Sequence, residues 1–106
     1  MTDASTFAPR SPLTKETRVV AVRDQVSAVL EGETIILTMG DGVYYSVDQV
    51  GSRVWSLTAT PTTLGAVHST LLEEYAVESD VAWRDLVTLV EELLRFGLLE
   101  RSPGVP

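Results

Sequence analysis

The apolar residues of this chain follow two different rhythms that meet at Asp48. Before it they alternate, and after it they recur three and four positions apart. An alternating segment presents one apolar face as a strand. A segment repeating at helical spacing presents a stripe as a helix, and neither pattern serves the other structure. The chain therefore reads as strands first and helices second, which is an α+β arrangement.

On the strand side, VVAV is followed by QVSAVLEGETIILTM, GDG and VYYSV. Val26, Ala28 and Leu30 alternate onto one face, and Glu31-Gly32-Glu33 is a tight turn. Ile35, Leu37 and Met39 then share one face, with Thr34, Ile36 and Thr38 on the other. Gly40-Asp41-Gly42 is a hairpin signal, because such residues accept the positive φ these turns need. Val43, Tyr45 and Val47 point one way, and Tyr44 and Ser46 the other. This spacing predicts a three-stranded antiparallel meander.

On the helix side, Asp48 is a good N-cap, since its carboxylate can accept from an unpaired first-turn N–H. Val50, Val54 and Leu57 form a stripe beside Trp55, and the helix is expected to stop near Thr58 to Thr60. Thr60-Pro61 reads as a cap followed by a first-turn proline, opening a second helix with Leu64, Val67, Leu71, Leu72 and Tyr75. AVESD breaks that helix, and Ser79 or Asp80 caps a third, which carries apolar residues from Val81 to Leu94. Gly97 is a natural C-terminal stop. Leu98-Leu99 reads as a short apolar tail, followed by a fraying SPGVP.

At 106 residues the chain suits one modest core, and 44% hydrophobic residues place it among folded chains. Residues 1–18 hold Pro9 and Pro12 among Ser, Thr and basic residues and read as a mobile tail. Residues 19–100 read as the domain and 101–106 as a second tail. The architecture expected is winged-helix-like, a three-stranded sheet followed by a three-helix bundle. With no cysteine, disulfides and thiolate metal sites are excluded. No apolar run approaches the roughly 18 residues needed to span a membrane. The N-terminus has no hydrophobic signal core, which points to the cytoplasm. From Val19 onward, five arginines face thirteen carboxylates, a net charge of −8. Phosphate binding needs clustered cations, so nucleic acid and anionic membrane are poor partners.

No catalytic constellation is visible. The one histidine, His68, sits beside the apolar stripe of the second helix, where a structural role is the ordinary one. No hydroxyl lies in a nucleophile elbow, and no glycine-rich phosphate loop occurs. The adjacent pairs Glu73-Glu74 and Glu91-Glu92 read as solvated faces. The sequence points to a non-enzymatic protein with no cofactor and no metal.

Two features exceed the generic. VYYSV would form a strand with none of the lysines, prolines or charges that usually blunt an exposed edge. The third helix carries Leu86, Val87, Leu89, Val90, Leu93 and Leu94 with Trp83 above them, an apolar surface wider than one core needs. An extended peptide between an edge strand and a helix would use both. Coverage by the chain's own residues and dimerisation are the plain alternatives.

The run from Val43 to Glu100 resembles the PqqD family. The residues that carry the likeness are the aromatic strand Tyr44-Tyr45, its end Val47-Asp48, and the Gly51-to-Trp55 helix. The second helix from Thr63 to Tyr75 and the third from Asp85 to Leu99 complete it. The resemblance extends over roughly residues 25 to 100. Val47-Asp48 stands where Leu-Asn is commoner, and both apolarity and capping chemistry survive the change. The resemblance implies a recognition element for the leader segment of a ribosomally made precursor peptide. It is most similar to the small stand-alone leader-binding proteins of lasso-peptide pathways. Their partners are a separate leader peptidase and a separate ATP-dependent cyclase. Carried over by position, strand contacts fall on Val43, Tyr44, Tyr45, Ser46 and Val47. Helix contacts fall on Trp83, Leu86, Val87 and Val90, and Asp85 would pair with a basic leader residue. The expected state is a monomer or weak homodimer. The rival readings are a winged-helix DNA-binding regulator and a dimerisation or scaffold module without peptide ligand. Against the first, the third helix sets only Arg84 and Arg95 against Asp80, Asp85, Glu91 and Glu92.

Overall fold

In the computed structural model, residues 13–40, 42 and 44–102 are described. Among these residues, six strands and three helices follow one another. They are β1 (Arg18–Ala21), β2 (Gln25–Leu30), β3 (Glu33–Thr38), β4 (Tyr44–Val47), α1 (Gln49–Leu57), β5 (Thr62–Thr63), α2 (Leu64–Glu74), α3 (Ser79–Arg95) and β6 (Leu99–Arg101). The fold is α+β and winged-helix-like.

Strands β2, β3 and β4 form the expected antiparallel meander, with β3 in the middle. Glu31 and Gly32 make the first turn at φ of 53° and 86°. Two successive left-handed residues are what a type I′ hairpin needs, and its twist matches the strands. The register pairs Thr34 with Val47 and Ile36 with Tyr45. Ser27 lies opposite Ile36 on the other side. Strand β4 is therefore an outer strand, hydrogen-bonded on one side only among the described residues.

The face of this sheet turned to the helices carries Thr34, Ile36, Tyr45 and Val47. Thr34 and Ile36 are buried, whereas Leu37 and Met39 lie outside. Tyr44 and Ser46 are exposed on the outer face, opposite to Tyr45 and Val47 in direction, as the alternation predicts. Thr34 keeps its hydroxyl satisfied inside by donating to Ser52 Oγ at 2.6 Å. Trp55 Nε1 donates to Ser27 Oγ at 3.2 Å, which ties α1 to β2.

A second sheet, absent from the sequence reading, has the order β5-β1-β6. Strand β1 pairs antiparallel with Thr62–Thr63 and with Leu99–Arg101. It joins the start of the domain, the α1–α2 connection and the residues after α3. Three expectations change with it. Thr60-Pro61 does not open α2, because the next two residues belong to β5; Thr63 caps instead, accepting from Ala66 N at 3.1 Å. Leu98 and Leu99 are no tail but core residues, 1% and 2% exposed. Residues 13–18 also lie against the domain: Thr17 and Lys15 carbonyls accept from Leu64 and Gly65, both at 2.9 Å. Residues 1–12 and 103–106, where the outer tails and the fraying SPGVP were expected, lie outside the described residues, apart from Ser102.

Helix α1 starts as expected, with Asp48 Oδ1 accepting from Gly51 N at 2.8 Å. Helix α3 is capped neither by Ser79 nor by Asp80, the two residues expected. Ser79 is its first residue, and the N-cap, Glu78, makes no side-chain cap bond. The end of α3 is a Schellman turn. Gly97 adopts φ 74°, its N–H donates to Leu94 O at 3.1 Å, and Leu98 N donates to Leu93 O at 2.8 Å. The core unites Ile36, Val54, Leu64, Val67, Val90 and Leu93, drawn from one strand and all three helices. No helix among the described residues is long and apolar enough to cross a membrane.

Candidate functional site

Helix α3 runs beside the meander with β4 nearest to its C-terminal half. Tyr45 of β4 donates its hydroxyl hydrogen to Glu92 Oε1 of α3. Its ring lies 5.5 Å from that of Phe96, just beyond the helix. The hydrogen bond to Glu92, helped by burial, pushes the Tyr45 hydroxyl up to about 12. Toward the N-terminal half of α3 its neighbours are the start of α1 and the end of α2. A cleft of about 450 Å³ opens there between these three.

The cleft floor is apolar: Val54, Leu71, Ala82 and Leu86 are buried beneath it. Leu89, Tyr75 and Val77 wall it, and the carboxylates of Asp48, Asp85 and Glu92 line it as well. Asp48 is occupied in capping α1 and Glu92 in holding Tyr45, whereas Asp85 is exposed. Such a surface can take an apolar side chain on its floor and a cation at its rim. It offers no nucleophile–base pair. Among the described residues no group of three or more His, Asp or Glu could hold a metal ion.

The expected site residues separate into three sets. Tyr44, Tyr45 and Ser46 lie on the open strand, Tyr44 being 69% exposed. Asp85 and Leu86 line the cleft, one at its rim and one in its floor. Val47, Trp83, Val87 and Val90 do not line it. Val47 and Val90 are buried in the core at 4% and 0% exposure. Trp83 sits on the other flank of α3, edge-on to His68 with ring centroids 5.4 Å apart and under the Lys15 ammonium. Val87 is two residues from Asp85 and so about 200° round the helix from it. Val43 lies outside the described residues. The physical reason for the difference is helix phase: at an apolar surface this wide, composition alone does not say which side meets β4. Counting three, four and seven residues from Asp85 gives Thr88, Leu89 and Glu92, the lining residues that sequence reasoning missed.

His68 is buried, and its Nε2–H donates to the Ser79 carbonyl at 3.0 Å. Packing and this bond account for it, as expected for a lone histidine beside a core stripe.

Residues 33–99 match the family model of coenzyme PQQ synthesis protein D (PqqD). Two solved structures share the fold. One is TbiB1 in complex with the TbiA(beta) leader peptide. It is 29% identical over 80% of this chain and 99% of that one, with a TM-score of 0.72. The other is lasso peptide synthetase B1 complexed with the leader peptide, 21% identical over 77% and 96%, with a TM-score of 0.69. No curated protein matches the chain closely enough to count as a relative.

Proposed function

Since the chain belongs to the PqqD family, we propose that it is a non-catalytic adaptor that binds the leader segment of a ribosomally made, lasso-type precursor peptide. The observation that carries this reading is the open side of β4 lying next to an apolar cleft on α3. TbiB1, the similar protein at 29% identity, is in complex with a leader peptide.

The leader adds as a strand beside β4, its main chain pairing with the unpaired N–H and C=O groups of Tyr44–Val47. Tyr44 and Ser46 contact it from the outer face. One apolar leader side chain enters the cleft over Leu86 and Leu89, and a basic neighbour meets Asp85. Trp83, Val87 and Val90 serve the domain rather than the groove. Micromolar affinity requires about −8 kcal/mol, within reach of a short strand ladder with two or three buried anchors. Bound this way, the leader is presented to a separate peptidase and cyclase in the cytoplasm. The carboxylates along α3 oppose the DNA-binding alternative, because a recognition helix must approach phosphates.

The test is fluorescence polarisation with a labelled leader from the precursor of the same pathway. Tyr44→Glu and Asp85→Lys, both at exposed positions, are expected to weaken binding about tenfold or more, and Val87→Glu to leave it unchanged. Saturable binding that Val87→Glu abolishes and Asp85→Lys spares would reverse the helix phase. Absence of saturable binding by the folded protein would sink the adaptor reading.

A further inference from the structure

The β2–β3–β4 sheet has an apolar face pointing away from the helices. The register places Val26 and Leu30 of β2, Ile35 and Leu37 of β3 and Tyr44 of β4 on it. Met39, one residue past β3, extends it. Val26 is 52% exposed, Leu30 57% and Met39 61%. The solvated face of an antiparallel sheet is ordinarily polar. Here the pattern is inverted: Thr34 is inside and Leu37 outside. Within the strands, the only charged residue on this face is Glu33, at one end.

We propose that this face is the contact between two copies of the chain, packed sheet on sheet. The first argument is area. Three strands of up to six residues span roughly 20 by 15 Å, and their side chains present roughly 500 Å² of accessible surface. Two copies would then bury roughly 1,000 Å² together, the lower end for a specific interface, so the pair is reversible rather than obligate. Depletion of charge across the patch suits the centre of such a contact. The second argument is charge at the rim. Glu31 and Glu33 stand at one end of the sheet, whereas at the other Arg23 is offset by its neighbour Asp24, leaving no net charge there among the described residues. A two-fold axis running across the strands lays the Glu33 end of each copy over that neutral end of its partner. An axis along the strands would stack carboxylate on carboxylate. The crosswise axis is the one the charges favour. The open side of β4 stays at the rim of this sandwich; Tyr44 alone is shared with the leader reading, so Leu37 and Val26 are the positions that test the pair separately.

Each copy carries a net charge of −7, so salt should screen their repulsion and strengthen the pair. The experiment is sedimentation equilibrium of the full chain, from micromolar to submillimolar concentration, at low and high salt. A monomer–dimer equilibrium that shifts toward dimer with salt is expected. Leu37→Glu, and separately Val26→Glu, should raise the dissociation constant at least about a hundredfold, with the circular dichroism of the fold retained. A wild-type chain that stays monomeric throughout would overturn the proposal and assign the face to another protein or to residues 1–12. A dimer indifferent to both Leu37→Glu and Val26→Glu would overturn it too, by placing the contact elsewhere.

Discussion

Tyr45 is the residue at which strand and helix are joined. Its ring helps close the core beside Phe96, and its hydroxyl is held by Glu92. An ionised tyrosine beside that carboxylate loses its donor hydrogen and meets a like charge, which is why its pKa is pushed up to about 12. The folded value lies above the unfolded value of about 10, so the stabilisation is complete below pH 10 and disappears as pH rises through 12. Urea midpoints measured across that window should fall more steeply for the wild type than for Tyr45→Phe. Parallel curves would show that the bond to Glu92 does not stabilise the fold. That Tyr44 and Tyr45 point to opposite faces was legible from alternation; which of them is inside was not. Nor was the partner of Tyr45, 47 residues away, because no local pattern joins a strand to a particular turn of a distant helix.

At the scale of elements, α1 depends on two neighbouring residues. Asp48 satisfies the N–H of Gly51, and Gly51 passes so close to β4 that an added Cβ would stand 2.7 Å from Val47 Cβ. Both atoms are fixed to backbone, so an alanine forces helix and strand apart. That strain outweighs the better helix propensity of alanine. Gly51→Ala is expected to cost about 1–3 kcal/mol in urea unfolding. A neutral or stabilised variant would show that the approach is looser. The ends of α1 and α3 were readable because Asp48 and Gly97 act through chemistry within a few residues. The β5-β1-β6 sheet was not. Strands of two to four residues show no period, and their partners are supplied by tertiary packing. The start of α2 was misplaced for the same reason: pairing with β1 claims Thr62 and Thr63 before the helix can begin. Alternation in β3 revealed two faces but not which was inside, since Ile35 and Leu37 look as suited to a core as Ile36.

For the whole molecule, the β2–β3–β4 meander ahead of the three helices was legible from spacing, whereas β5 and β6, which fall between and after the helices, were not. The side of α3 that lines the cleft had to come from the fold. The central claim is that a leader becomes the next strand of the β2–β3–β4 sheet. Its most direct test is amide hydrogen exchange of the protein alone and saturated with leader peptide, resolved by residue. The account predicts slowed exchange in Tyr44–Val47 and in α3 around Asp85–Leu89, with β2, the opposite outer strand, unchanged. Protection confined to β2, or none in β4 at saturation, would contradict it.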